Sequence, residues 1–415
     1  MRKINYRLYP NAKKEEALFA ILRLQKDLYN AALQERIDCY KKTGKGLSYN
    51  SQQKSLTQIR AESLEYKNIP IYISRMTLQR LQKAFNAFFK RVKRGETPGF
   101  PRFKSIKRFT SFEMCAGSGW SFNFGEKDNK HGTLFIRGVG HIKARGKART
   151  TGVVKTSQVV YKYGQWFLSV SVDCNPVRES QSTKACGLDW GVNHLLTLTE
   201  EDGTYRQIDN PRYYQTTKEE LVKLSQSISS KKRGSNRWKK ACKKLSNARS
   251  KLARKRDYDY HQLSHGIAKE YALVATEELT IKNMTKSAKG TVEKPGKNVK
   301  QKSGLNREIL DTAPRKLLNM IHYKVEETDG HYEEVETRKV KPSQRCPDCL
   351  AVVKKSLSER QHNCPCGLSM PRDSASGLVM VRSVLGTLYN RLETSRDGLS
   401  VKPLPCAQAL GGGSL

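Results

Sequence analysis

Two spacings of apolar residues divide the chain. Residues 1–9 alternate apolar and polar as a strand does. From residue 13 to 41 the period lengthens, and Leu18, Ile21, Leu22, Leu24, Leu28, Ala32 and Leu33 recur on one helical face. A second helix is expected from Met76 to Val92, where Leu78, Leu81, Phe85, Phe88, Phe89 and Val92 repeat at three and four. Its aromatic residues read as core rather than as a stacking surface. From about 110 to 178 the spacing is that of strands: Thr133–Ile136, Val159–Tyr163 and, after a Gly164-Gln165 turn, Trp166–Val172. Residues 1–9 fit the same sheet, which makes the helical block an insertion.

Further along, Cys186–Val192 and His194–Thr199 read as neighbouring strands, with Asp202-Gly203 closing a hairpin. Leu273–Leu279 is an apolar strand ending in acid. Arg372 opens a helix whose apolar positions are Leu378, Val379, Val381, Val384 and Leu385. Lys231 to Arg256 reads as an amphipathic helix. Trp238, Ala241, Leu245, Ala248 and Leu252 form its apolar stripe, and Lys and Arg fill the other faces. Lys286 to Ser303, poor in apolar residues, is expected to be a mobile loop, and 391–415 a disordered tail.

Charge narrows the function. The 415 residues carry a formal net charge of +38, which calls for a polyanionic partner. A ribosomal-type binder or a membrane-surface protein would share that charge. No apolar run reaches the ~18 residues of a membrane span. The N-terminus lacks the apolar core of a secretion signal, so a place in the cytoplasm or nucleoid is expected.

Two sets of side chains carry candidate chemistry. Asp189 lies near the end of an apolar strand, where a carboxylate is costly unless paired, hydrogen-bonded or metal-bound. The plain alternative is an Asp that starts a turn. Glu277 ends a second strand and Asp373 begins a helix. Three acids so placed could converge on a pair of divalent cations, Mg²⁺ being the hard ion that takes oxygen ligands. The second set is Cys346, Cys349, Cys364 and Cys366. Two close pairs of thiolates meeting across a turn give a tetrahedral Zn²⁺ site, although the one-residue gap of the second pair departs from the commoner spacing. His362 is an alternative ligand, expected instead at the surface. The six other cysteines have no framework spacing and read as plain thiols.

These residues resemble a known family. Gly187-Leu188-Asp189-Trp190-Gly191-Val192 looks like the first RuvC motif of the TnpB proteins, transposon-encoded relatives of type V CRISPR effectors. Thr276-Glu277-Glu278-Leu279 looks like the second motif and Arg372-Asp373-Ser374 like the third. Tyr6–Pro10, Gly99–Lys104 and Ser343–Cys346 match further signatures, so the similarity spans roughly residues 1 to 390 in the family's order. It implies an α+β multidomain fold. An OB-like β wedge (1–12 and 106–182) would be split by a helical recognition domain (13–105). An RNase H-like, or RuvC, α/β nuclease domain (183–340 and 370–390) would carry an inserted zinc ribbon (341–369). It also implies an RNA-guided, Mg²⁺-dependent DNA endonuclease. Asp189, Glu277 and Asp373 would hold two Mg²⁺ ions, and Cys346, Cys349, Cys364 and Cys366 a structural Zn²⁺. The partners would be guide RNA and target DNA beside a short flanking motif, with no membrane; a monomer is expected.

The sequence departs from the family in the third motif. Ala375 stands where Asn is common, Met370-Pro371 replaces His-Asp, and Leu350 takes a position where Gly often follows the first Cys pair. Two other readings therefore stand beside the nuclease: a guided DNA-binding repressor that does not cut, and an RNA-independent transposition accessory protein.

Overall fold

The computed structural model describes residues 2–115, 119–126, 130–148, 152–174, 182–291, 293–356 and 358–386. The expected tail at 391–415 and residues 387–390 lie outside them. The chain forms two compact units, Met1–Pro176 and Val177–Leu415.

The first unit starts with β1 (Arg2–Tyr9) and four helices: α1 (Ala12–Thr43), α2 (Tyr49–Glu62), α3 (Leu64–Asn68) and α4 (Ile71–Lys93). Six strands follow: β2 (Ser111–Cys115), β3 (Trp120–Phe124), β4 (Lys130–Ile136), β5 (Gly140–Lys147), β6 (Val153–Lys162) and β7 (Gln165–Asp173). All seven strands join one antiparallel sheet in the order β2-β6-β7-β1-β5-β4-β3. The first strand is thus central, running from Arg2 opposite Val172 to Leu8 opposite Trp166, and the helices interrupt the sheet in sequence only. Alternation is clean where the pattern predicted it: Trp166, Leu168, Val170 and Val172 of β7 point into the core with Tyr6 and Leu8.

Helix α1 begins at Asn11, whose side chain accepts from Lys14 N, and ends at Gly44 with φ +65°. Buried hydrogen bonds tie it to α4, where Gln25 donates to Ser74 Oγ (3.2 Å) and accepts from Thr77 Oγ1 (2.8 Å). The expected core of α4 is only partly realised. Leu78, Leu81 and Phe85 are buried and Phe88 is half-buried, but Phe89 and Val92 are exposed. The apolar period continues along the helix beyond the part covered by α1 and β2. Helix α2 buries only Gln52 and Leu56.

The second unit contains β8 (Ala185–Trp190), β9 (His194–Glu200), β10 (Tyr205–Asp209), α5 (Tyr213–Ser229), α6 (Asn236–Glu270), β11 (Leu273–Glu277), α7 (Ile281–Met284), α8 (Val299–Thr312), α9 (Pro314–Glu327) and β12 (His331–Val335). It ends with α10 (Thr337–Val340), a small ribbon of β13 (Gln361–Asn363) and β14 (Ser369–Pro371), and α11 (Arg372–Leu385). The five longer strands make a mixed sheet in the order β10-β9-β8-β11-β12. Strands β8, β9 and β10 pair antiparallel, whereas β11 runs parallel to both β8 and β12.

Strand alternation sorts residues between the two faces. Cys186, Leu188, Trp190, Leu196, Leu198 and Val274 join a core with Tyr260 and Ile267 of α6 and Leu317, Ile321 and Val325 of α9. The other face carries Gly187, Asp189, Thr199, Ala275 and Glu277, and α11 lies across it: Val379 and Met380 pack with Ala275 and Val335. The contact of α11 with β8 is backbone on backbone. A Cβ on Gly187 would sit 1.7 Å from the Gly377 carbonyl oxygen. One on Gly377 would sit 2.7 Å from Thr199 Oγ1 and 3.0 Å from the Gly187 oxygen.

The stretch Lys286 to Ser303, expected as a loop, is helical from Val299 on. Polar anchors hold α8, of which only Ile309 and Thr312 are buried: Lys302 Nζ donates to Met284 O (2.6 Å) and Asn306 Nδ2 to Thr285 O (3.0 Å). Helix α6 runs fourteen residues past the predicted Arg256, to Glu270. Among the described residues no helix is long and apolar enough to cross a membrane.

The glycine contact yields an ordered prediction. Gly187→Ala should lower stability by about 3 kcal/mol or more, since the clash is with backbone that cannot turn away. Gly377→Ala should cost about 1–3 kcal/mol, because the Thr199 side chain can yield part of the space. Denaturant unfolding of both variants checks the order; equal or negligible losses would contradict the packing described.

Candidate functional site

Two acids come together through strand register. Leu188 of β8 lies opposite Thr276 of β11, and Thr276 Oγ1 donates to Leu188 O at 2.9 Å. The next position on each of these parallel strands is Asp189 and Glu277, so both carboxylates leave the same sheet face at adjacent strand ends. Both are half-buried, while Glu278 is exposed, which distinguishes the two neighbouring glutamates. The third acid, Asp373, comes from the helix on that face. It lies one turn before Gly377, the residue that touches β8, and Asp189 lies two residues beyond Gly187. Asp373 also sits in the first turn of α11, where the unpaired N–H groups favour a negative charge.

The same proximity sets the electrostatics. Burial pushes the Asp189 carboxyl well above the usual carboxylate range, and the charges of Glu277 and Asp373 push it further; Arg372 opposes them. Burial also raises Glu277, again against Arg372. Like charges gathered in a low-dielectric pocket disfavour ionisation. A divalent cation reverses that balance, and three oxygen donors form a set that suits Mg²⁺. The donor chemistry suits such an ion, but among the described residues only the four cysteines bring their ligand atoms together as a metal-holding group. Ser374 Oγ and Thr199 Oγ1, buried beside this face, have no hydrogen-bond partner among the described residues.

The cysteines form the tighter cluster. Sγ atoms of Cys346, Cys349, Cys364 and Cys366 all lie within 4.8 Å of one another. Cys346–Cys366 are 3.7 Å apart and Cys349–Cys364 3.3 Å. These separations are far longer than a disulfide bond of about 2.05 Å. They are near the roughly 3.8 Å edge of a sulfur tetrahedron around Zn²⁺ with bonds of about 2.3 Å. Each pair sits on a turn: Leu350 N donates to Cys346 O (3.1 Å), and Gly367 N to Cys364 O (3.0 Å). The one-residue gap of the second pair is accommodated by Gly367 at φ +93°. Leu350 takes φ +64°, which gives the physical reason a glycine suits that position. Its side chain offsets that cost by packing into the cluster of Ala275, Val335, Val340, Val379 and Met380.

Burial pushes the Cys346 thiol up to about 12, whereas the Leu368 N–H and Cys364 pull the exposed Cys366 down to about 7. His362 is not at the surface as expected. It is fully buried, contacts Lys355 through Nδ1, and its Nε2 has no partner among the described residues. It is not part of the cysteine cluster, and β13 turns it inward between exposed Gln361 and Asn363.

Ribbon and acid site are joined covalently and by hydrogen bonds. Strand β14 ends at Pro371 and α11 begins at Arg372. Arg372 Nη1 donates to Ser356 O (2.9 Å) and Glu359 O (3.3 Å). Arg382 Nη1, farther along α11, donates to Pro347 O (3.0 Å) and Asp348 Oδ1 (3.1 Å).

Helix α6 supplies the densest positive surface of this unit. Its expected apolar stripe is buried or half-buried, with α5 packed alongside. Arg237, Lys240, Lys244, Lys251, Arg254 and Lys255 remain exposed.

The chain is similar to proteins and families already known. Residues 161–288, which include Asp189 and Glu277, match the OrfB_IS605 family, described as a probable transposase. Residues 315–378, which include the four cysteines and Asp373, match the Cas12f1-like TNB domain. An Escherichia coli K12 protein named "Putative RNA-guided DNA endonuclease InsQ" is 29% identical over 371 residues, 88% of this chain and 87% of that protein. A Streptomyces pristinaespiralis protein named "Putative RNA-guided DNA endonuclease" is 27% identical over 410 residues, 97% and 92% of the two chains. The fold is similar to that of the protein in a Cas12f1–sgRNA–target DNA complex, with a TM-score of 0.58 and 13% identity over 88% of this chain and 82% of that one.

Purified protein should carry about one equivalent of zinc by elemental analysis. Replacing Cys346 and Cys364 with Ser should remove it and raise hydrogen exchange around 372–376. Zinc-free protein of unchanged stability would contradict the cluster's role. Leu350→Gly should relieve the positive-φ strain yet lose more in packing, for a net loss of about 1–3 kcal/mol in denaturant unfolding.

Proposed function

Because this chain belongs to the TnpB family, we propose that it is an RNA-guided DNA endonuclease. It would be a phosphodiester hydrolase that cuts target DNA beside a short flanking motif. The observation that carries this reading is the arrangement of Asp189 and Glu277 on adjacent parallel strand ends, on the sheet face crossed by the helix that bears Asp373. The five-stranded sheet is read as the RNase H-like, RuvC-type core, and the seven-stranded one as the wedge that the helical block interrupts.

In this reading Asp189, Glu277 and Asp373 would hold two Mg²⁺ ions, which supply an activated water and stabilisation of the leaving oxygen. Asp189 and Glu277 fix one edge of the site through the parallel register, and Asp373 closes the other from the helix. Arg372 balances part of the negative charge and, through its bonds to the ribbon carbonyls, holds the start of α11 in place. The four cysteines would take Zn²⁺ as a structural ion. Exposed Lys and Arg along α6 would meet phosphates of the guide or target strands, whose pairing sets sequence choice.

One observation favours a second reading, a guided binder that cuts slowly or not at all. Ala375 is fully buried at the position where the family commonly has Asn, and neighbouring Ser374 Oγ has no partner among the described residues. The hydrogen bonds that stiffen a metal-binding carboxylate are thus reduced around Asp373.

Sequencing of RNA that copurifies with the protein, followed by cleavage and binding assays with that guide, tests the proposal. Asp189→Ala and Asp373→Ala should each abolish cutting in Mg²⁺, a loss of at least about 10²–10³, with target affinity largely kept because it resides in pairing and phosphate contacts. Wild-type-like cutting by either variant would remove that residue from the site. Ala375→Asn should keep or raise the rate. Wild-type protein that binds a validated target without cutting it would instead establish the second reading.

A further inference from the structure

The final turns of α4 present an aromatic surface that the acid site does not use. Phe89 is 60% exposed, Val92 49% and Phe100 46%. The rings are mutually braced. Phe89 stacks on buried Phe85 (6.2 Å between centroids, 30° between planes), and Phe88 meets Phe89 edge-on at 5.1 Å. Phe100 stands edge-on against both Phe85 (5.6 Å) and Phe88 (5.3 Å).

Phe100 reaches the helix because the intervening loop is folded back and fixed. Arg91 Nη1 donates to Pro98 O (3.0 Å), and Glu96 N donates to Arg91 O (3.0 Å). Gly99 turns the chain at φ +63°, a conformation that favours glycine, and the tip of Arg91 lies over it, 2.7 Å from where a Cβ would stand. The exposed rings are therefore held in place by a built loop. Large apolar side chains grouped at a surface mark an interaction site.

Charge selects the partner. Lys90, Lys93, Arg94, Arg102, Lys107 and Arg108 are exposed along the same stretch of chain, and Glu96 is the only carboxylate in the sequence between Asn86 and Phe112. Aromatic faces interleaved with cations suit unpaired nucleobases, whose rings stack while the backbone meets Lys and Arg. A duplex interior offers no base face, so it would use the cations alone.

We propose that Phe89 and Phe100 form a stacking platform for unpaired bases of single-stranded nucleic acid at the end of α4. The inference rests on the reading that the polyanionic partner is nucleic acid, and it adds which part of that partner this surface takes.

The test uses the full chain without added Mg²⁺, so that cutting plays no part. Fluorescence anisotropy is measured with a labelled 20-nucleotide oligo(dT), the matching oligo(U), and a blunt duplex DNA of the same length. Phe89→Ala/Phe100→Ala should weaken binding of at least one single strand by about tenfold or more, with duplex binding and the salt slope unchanged. Phe89→Trp/Phe100→Trp should restore it. Both positions are exposed, and matching thermal melts would confirm that the variants fold. Equal losses on single strand and duplex, or no loss on either single strand, would overturn the platform. So would a wild-type dimer in sedimentation that the alanine variant dissolves without changing single-strand affinity, which would make the patch a self-association surface. Failure of wild type to bind any of the three probes would instead defeat the nucleic-acid reading on which the inference stands.

Discussion

The second unit depends on two glycines meeting across 190 positions of sequence. Gly187 in β8 and Gly377 in α11 bring a helix and a strand to backbone contact, and no side chain could occupy the space between them. Interiors transmit displacement rather than absorb it. A helix held further out would carry Asp373 away from Asp189 and lift Val379 and Met380 off Ala275. It would also shift the ribbon that Arg372 and Arg382 fasten to both ends of α11. The absence of two methyl groups thus governs the acids, the sheet face and the cysteine ribbon together.

Both chemical clusters of this unit gather groups that repel or desolvate one another. Asp189 is raised by burial and by its two acidic neighbours, and Cys346 chiefly by burial. Neither collection is a favourable thing to fold around in isolation. Each becomes favourable when a cation of matching hardness is available: oxygen donors for a hard ion, thiolates for a softer one. Local stability here is therefore expected to follow metal supply, while that of the first unit, whose core is apolar and whose sheet is centred on its own first strand, is not.

Much of this was legible in the sequence, for specific reasons. Strand alternation identified β1, β7, β8 and β9 because one or both faces are buried. The acids stood out because each ends or begins an apolar element, and the cysteines because of their spacing. The missed features have equally specific causes. Helix α2 buries only two side chains, and so does α8, which Lys302 and Asn306 tie by polar bonds, so each offers few apolar residues in a polar stretch. Periodicity placed Phe89 and Val92 on the core face of α4 but carried no information about where the core ends. His362 was expected outside because its type usually is, whereas a three-residue strand turns it inward. Gly377 is an ordinary glycine in sequence; only the fold supplies Gly187 as its partner. Leu350 showed as a departure from a glycine position, and its compensating packing became visible only with Val379 and Met380 beside it.

The order of segments along the chain has a consequence for biosynthesis. Asp189 and Glu277 emerge well before Asp373, and the helix that bears it is the last described element. A ribosome adding about 5–20 residues per second needs roughly 10–40 s to pass from the end of the first unit to the end of α11. During that interval a nascent chain already has all seven strands and four helices of its first unit, yet lacks the segment that completes the carboxylate trio. Truncated products would be left in the same condition. Chain order alone thereby keeps partial translation products from acquiring a finished acid site.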